Sequence, residues 1–155
     1  MEMSADFLWF MMYIAYKHEL CSIDKITPLP NDMYVEQFDF FRSNPDKISF
    51  IPIVHKGAGV GFLIIANSKN EHIKSKGLDY FIEDTFILPD YRRKGLMRKA
   101  IQDYFNSHTG TYGMTLIDKN KVGKSFWHSV IKDNEWLSKE RYSENETLFT
   151  FKKGK

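Results

Sequence analysis

Cysteine is nearly absent from this chain: Cys21 is the only one in 155 residues. A lone thiol cannot close an internal disulfide, and it excludes a cysteine-rich metal site. With no identifiable base beside it, Cys21 reads as a packed or partly exposed thiol. The five histidines show no ligand spacing, so no metal is expected. An excess of one charge is missing too. Lys and Arg number 22 against 20 Asp and Glu, for a formal charge of +2. Bulk electrostatics therefore give no case for a nucleic-acid partner, and any basic feature must be local. Long apolar runs are also lacking. The one candidate, Phe7 to Ala15, is too short to span a bilayer. It has no basic flank before it and no small-residue cleavage site after it. The expectation is a cytoplasmic protein with no membrane partner. Repeats, low-complexity tracts and linkers are absent, so residues 1–155 read as a single domain.

Two phosphate-binding motifs fail on inspection. Gly57-Ala58-Gly59-Val60-Gly61-Phe62 puts Phe62 where a dinucleotide fingerprint needs its third glycine, and the run precedes a strand instead of opening a helix. Gly123-Lys124-Ser125 resembles the end of a P-loop, but Asp118 stands where the leading glycine belongs.

What is present is material for a core: 43% hydrophobic and 15% aromatic residues. Phe7, Leu8, Met11, Ile14 and Ala15 recur at helical spacing and predict a helix over 4–20, with Ser4 as its cap. Pro28 and Pro30 break the next segment, and a short helix is weakly signalled around Tyr34–Phe41. Ile48–Val54 and Val60–Ala66 predict strands joined by a hairpin turn at His55-Lys56-Gly57-Ala58. A polar loop from Asn67 to Gly77 leads to a strand over Tyr80–Leu88. A helix over Leu96–Phe105, a strand over Gly110–Ile117, a helix over Lys121–Ile131 capped by Asn120 and a last strand at Leu148–Phe151 complete the chain. That order is α+β around a mixed sheet.

The most informative stretch joins the strand ending at Leu88 to the helix starting at Leu96. Pro89-Asp90-Tyr91-Arg92-Arg93-Lys94-Gly95-Leu96-Met97-Arg98-Lys99 crowds five cations around a helix start. Acidic side chains belong there, because a helix N-terminus carries partial positive charge and unpaired N–H groups. Cations, a glycine and free N–H groups together suit a bound phosphate or pyrophosphate. Glu83-Asp84 is the second feature. On a regular strand the two point to opposite faces, so one of them enters a core or a cleft, where partial desolvation raises its pKa toward general-base range. Phe126-Trp127 is the third, read either as core packing or as part of a site.

Together these features resemble the GNAT superfamily of acyl-CoA-dependent N-acetyltransferases over Tyr80 to Ile131. The family's Arg/Gln-x-x-Gly-x-Gly/Ala loop is matched by Arg92-Arg93-Lys94-Gly95-Leu96-Met97. Its later Asn-x-x-Ala-x-x-Phe-Tyr is matched by Asn120-Lys121-Val122-Gly123-Lys124-Ser125-Phe126-Trp127. Glu83-Asp84-Thr85-Phe86-Ile87 resembles the acidic segment of the spermidine/spermine-type enzymes. Phe126-Trp127-His128-Ser129-Val130-Ile131 resembles a bacterial branch of predicted acetyltransferases.

The resemblance implies α/β/α layers and a mixed, mostly antiparallel sheet splayed between the family's fourth and fifth strands. It implies acetyl-CoA as co-substrate and an amine acceptor. Backbone groups of Phe86, Ile87 and Leu88 would line the pantetheine arm, with Asn120 and Phe126 beside it. The N–H groups from Arg93 through Arg98, spanning Lys94, Gly95, Leu96 and Met97, would wrap the pyrophosphate, with Arg92, Arg93, Lys94 and Arg98 adding charge. Glu83 would be the water-relayed base, and Asp84 would help to hold the amine. Three departures stand out. Met97 replaces a small residue, Trp127 replaces the usual acid tyrosine, and the first helix starts so early that the family's first strand is expected to be missing or very short. Met97 and Trp127 favour an alternative, a catalytically weak acetyl-CoA-binding sensor. A homodimer is compatible with the aromatic content.

Overall fold

The structure is a computed structural model that describes residues 5–154. The first helix, α1 (Ala5–Asp24), is longer than the periodicity suggests. It stops where Lys25 turns left-handed (φ 58°), and the Ile26 N–H then reaches back to the Cys21 carbonyl at 3.0 Å. The proposed cap, Ser4, lies outside the described residues. The face α1 buries also differs from expectation. Tyr13 and Tyr16 go inward, while Leu8, Met11 and Ala15 are exposed. The helix is apolar nearly all round, so spacing alone does not choose its inner face. The tyrosines win because their hydroxyls find partners, Gln37 for Tyr13 and Asp84 for Tyr16.

The weakly signalled second helix is real and longer, α2 (Asn31–Ser43), starting directly after Pro30 and burying Tyr34 and Phe38. Strands β1 (Ile48–His55) and β2 (Ala58–Asn67) form a hairpin. Lys56 (φ 51°) and Gly57 (φ 82°) supply the two left-handed residues that a tight hairpin turn needs. The polar loop contains a one-turn helix, α3 (Glu71–Ser75), too short to show a period; Ile73 anchors it. Then come β3 (Tyr80–Ile87), a 3₁₀ turn at Pro89–Tyr91, α4 (Leu96–Ser107), β4 (Tyr112–Ile117) and α5 (Lys121–Asp133). Asn120 caps α5 as expected, its side-chain oxygen accepting the Gly123 N–H at 3.0 Å. The tail is a hairpin, β5 (Leu137–Tyr142) and β6 (Glu146–Lys152). Sequence gives no sign of β5, whose six residues are all exposed and lack alternation.

The six strands form one sheet in the order β1-β2-β3-β4-β6-β5, antiparallel except for β3 and β4. No strand precedes α1 among the described residues. One core, with Tyr13, Phe38, Phe62, Ile64 and Phe86, lies under α1 and α2. The other, with Leu63, Ile65, Ile101, Met114, Trp127 and Phe151, lies under α4 and α5. The apolar run of β2 is continuous because it is buried on both faces.

Candidate active site

The site grows from one irregularity in the sheet. Parallel β3 and β4 pair only at Tyr80↔Tyr112 and Phe81↔Gly113. Beyond those pairs the strands diverge, and the rest of each borders an open wedge. Antiparallel pairing with β2 decides which groups of β3 face it. The Leu88 N–H donates to the Val60 carbonyl at 2.8 Å. Hydrogen-bonded pairs alternate along such a ladder, so Phe86 is likewise engaged by Phe62, while Thr85 and Ile87 direct their N–H and C=O groups toward the wedge. This corrects the expectation for Phe86, Ile87 and Leu88: only Ile87, joined by Thr85, offers backbone to the gap. The Ile87 carbonyl already accepts Arg92 Nε at 2.8 Å, which leaves its N–H.

A β-bulge interrupts β3 at Glu83. Ile64 pairs with Asp84 and Ile65 with Ile82, so Glu83 has no partner opposite it. The bulge breaks strict alternation. Tyr80 and Ile82 pack in the α4/α5 core, whereas Asp84 and Phe86 turn to the α1/α2 side. Asp84 is the inward carboxylate, 7% exposed. It accepts the Tyr16 hydroxyl at 2.7 Å and meets Lys17 Nζ at 3.7 Å. Lys17 in turn stands over the rings of Tyr13 (5.3 Å) and Tyr16 (5.6 Å). Burial first, then the Asp84 charge, raises the Tyr16 pKa and keeps that phenol neutral.

Glu83 reaches solvent, yet the protein packed around the bulge disfavours its charged form. Together with the Asp84 charge this pushes its pKa up to about 7, against the opposing pull of Lys17 and Lys76. A carboxylate that titrates near neutrality is suited to accept a proton.

The cationic loop divides its charges. Arg92 holds both Glu19 oxygens (2.8 and 3.0 Å) and lies over the Phe86 ring, fastening the loop to α1. Arg98 reaches Asp133 (3.0 Å) and Ser129 (2.7 Å) on α5. Only Arg93 and Lys94 are exposed without a protein partner among the described residues. Arg93 (φ 65°) and Gly95 (φ 75°) are both left-handed, which folds the loop tightly onto the helix start. No side chain caps α4, and its first helical bond comes from the Lys99 N–H to the Gly95 carbonyl. The N–H groups of Leu96, Met97 and Arg98 are therefore left for an outside acceptor. The Met97 side chain does not crowd them; it is buried in the α4/α5 core.

On α5, Asn120 Oδ1 is occupied by its cap bond, and Phe126 is half-buried beside Trp127. Trp127 is 2% exposed, a core ring packed near Phe151. Tyr80 and Tyr104 belong to an aromatic cluster at the closed end of the wedge. Tyr80 stacks on Tyr112 (4.8 Å) and Tyr104 on His108 (3.9 Å). Sequence reasoning missed Tyr16, Lys17 and Glu19, because a helix-surface cation and a core tyrosine carry no motif.

A model of the acetyltransferase (GNAT) family matches residues 13–125. The chain belongs to the GNAT family. No curated protein sequence matches this GNAT enzyme. Its fold is similar to that of an acetyltransferase from Thermus thermophilus, with a TM-score of 0.71 and 13% identity over 94% of this chain and 88% of that one. It is also similar to the diaminobutyrate acetyltransferase of Paenibacillus lautus, solved with its substrate and coenzyme A (TM-score 0.60, 14% identity, 92% and 88% covered). The PaiA N-acetyltransferase of Thermoplasma acidophilum, solved with coenzyme A, matches at 0.56 with 13% identity over 98% and 96%. The GNAT wedge thus lies where only two residue pairs join the sheet halves. No group of three His, Cys, Asp or Glu side chains able to hold a metal occurs among the described residues, and no described helix is long and apolar enough to cross a membrane.

Proposed function

We propose that this GNAT enzyme transfers the acetyl group of acetyl-CoA to a primary amine of a small molecule or peptide, by direct attack in a ternary complex. One observation carries the reading. The wedge between β3 and β4 is bordered by the Glu83 bulge and by the start of α4, which carries no side-chain cap and holds Arg93 and Lys94, two cations without a protein partner among the described residues. An extended, amide-bearing chain ending in a pyrophosphate fits such a wedge. The Ile87 N–H and the Thr85 groups can pair with the amides of the arm, and Phe126 can pack against it. The N–H groups of Leu96, Met97 and Arg98, with Arg93 and Lys94, can take the pyrophosphate, and the free amide N–H of Asn120 lies at the start of α5.

The co-substrate supplies an acyl group activated as a thioester. The chain supplies position and proton transfer. An alkyl ammonium must lose a proton before it can attack, and Glu83, through water, accepts it. The amine nitrogen bonds to the acyl carbon, and the carbon–sulfur bond breaks with its electron pair on sulfur. The Ile87 N–H faces the gap where negative charge develops on the acyl oxygen, whereas the neighbouring Leu88 N–H is committed to Val60. A thiolate leaves without a strong acid, so Trp127 in place of a tyrosine does not block the reaction. Met97 lies in the core, which removes one ground for a binding-only reading. The proposal carries with it a single domain over residues 1–155, a bacterial, cytoplasmic setting, no metal, no nucleic acid and no membrane partner. It leaves a homodimer to be tested by sedimentation.

The direct test is thermal. Acetyl-CoA or free coenzyme A at about a hundred times its Kd adds about 2.7 kcal/mol, raising Tm by several degrees. No shift with either ligand would end the proposal. A thiol-release assay over a panel of amines then tests transfer. Converting Arg93 and Lys94 together to Ala is expected to weaken coenzyme A binding by about tenfold or more, since each contact to a charged group is worth roughly 1.5 kcal/mol or above. Isothermal titration measures this, and an unchanged Kd would move the pyrophosphate off this loop.

A further inference from the structure

Two carboxylates and two aromatic faces meet on the α1 side of the bulge, an arrangement that recognises ammonium groups. In this protein one ammonium is already there, and it belongs to the chain. Lys17 Nζ pairs with Asp84 at 3.7 Å and lies over Tyr13 and Tyr16 at 5.3 and 5.6 Å. Its side chain is 23% exposed, so part of it still faces solvent beside the bulge. Asp84 is further tied down by the Tyr16 hydroxyl. Glu83, next in the chain, has no ion pair among the described residues. Of the two acids, one is neutralised from within and one is left for an incoming amine.

We infer that Lys17 occupies the second cation seat of the acceptor pocket, so that the enzyme selects monoamines against di- and polyamines. The inference rests on the amine-acetyltransferase reading of the same site, and it makes Lys17 a specificity-determining residue. A monoamine brings its single nitrogen to Glu83 and meets no repulsion. A diamine that places one nitrogen at Glu83 finds Asp84, the second acid, already held by Lys17 Nζ, where like charge opposes its other nitrogen and the aromatic faces are taken. The adjacent acids thus resemble a polyamine site only while α1 is ignored. The resemblance of Glu83-Asp84-Thr85-Phe86-Ile87 to the polyamine enzymes does not carry their substrate class to this chain.

The test compares n-butylamine with 1,4-diaminobutane as acceptors by thiol release, on the parent enzyme, Lys17→Met and Lys17→Arg. The parent is expected to favour the monoamine in kcat/KM. Lys17→Met, which keeps an apolar stem over the tyrosines, should shift the ratio toward the diamine by about tenfold or more. Lys17→Arg should keep the parent's preference. If Lys17→Met melts early because Asp84 has lost its ammonium, Lys17→Gln carries the same comparison with an N–H toward that carboxylate. Calorimetric titration of 1,4-diaminobutane into each protein with coenzyme A present provides a readout independent of turnover. Turnover with an unchanged ratio and unchanged diamine binding overturns the role of Lys17 and leaves the acetyltransferase reading standing. Diamine binding gained in Lys17→Met, with no amine turned over by any variant, supports the seat and overturns the acetyltransferase reading. No gain and no turnover overturn both.

Discussion

Glu83→Gln is expected to lower kcat at pH 7 by about a hundredfold or more, the range for loss of a positioned general base, with the Kd for coenzyme A unchanged. Glu83 sits at the bulge and not on the cationic loop, so cofactor affinity has no reason to move. The pH dependence is the sharper reading. With the Glu83 pKa at about 7, the rate of the parent should climb as pH rises through neutrality and fall away on the acid side. The variant should lose that limb. A profile that keeps the same limb in the variant would take Glu83 out of the mechanism.

Stability should change in the opposite sense. The folded state holds a proton on Glu83 that the unfolded chain, with its value near 4.5, releases earlier. Stability contributed by this group is complete below pH 4.5 and is lost as pH rises toward 7. Glutamine has no charge to desolvate. Glu83→Gln should therefore melt above the parent at pH 8 and level with it at pH 4, which paired thermal scans can check. A variant slower in catalysis yet firmer in fold would identify the bulge as a place where local stability yields to chemistry.

Trp127→Ala is expected to have the largest effect on the fold. The ring is 2% exposed and packs with Phe126, Phe151 and the α4/α5 core. Removing it costs about 3–5 kcal/mol in lost transfer and cavity energy. For a domain of this size, that is roughly 10 °C or more in Tm. Trp127→Tyr supplies the family's usual side chain, but places a hydroxyl in an apolar core. It should lower Tm without raising kcat. A gain in kcat would mean that residue 127 reaches the reacting sulfur after all.

The elements that sequence displays best are those whose pattern records one environment. The β2 run Val60–Ala66 is apolar throughout because both of its faces are covered. Met97, Ile101 and Phe105 mark α4 because one face is buried and the other wet. The loop from Arg92 to Met97 and the cap at Asn120 were legible as motifs, since each needs particular residues at particular steps. Tertiary contacts between distant segments were not. Whether Arg92 meets an anion or Glu19 depends on how α1 crosses the sheet, and those residues are 73 positions apart. The pairing of Asp84 with Tyr16 and Lys17 is hidden for the same reason. The bulge at Glu83 was invisible because one extra residue in a strand leaves the composition unchanged while reassigning every later side chain to the other face. β5 escaped notice because an edge strand exposed along its length need not alternate.

The seam in the sheet has a mechanical consequence. β1, β2 and β3 are laced together by full ladders, and so are β4, β6 and β5. Between the two plates run two residue pairs, the hydrogen bonds that join Asp79 and Tyr80 to Thr111 at the same end, and the stacked rings of Tyr80 and Tyr112. Rings slide and tilt over one another without losing a directional bond. Each plate therefore keeps its own ladders, and what resists a change in the width of the gap is side-chain packing: the α4/α5 core that holds residues of both plates in one cluster.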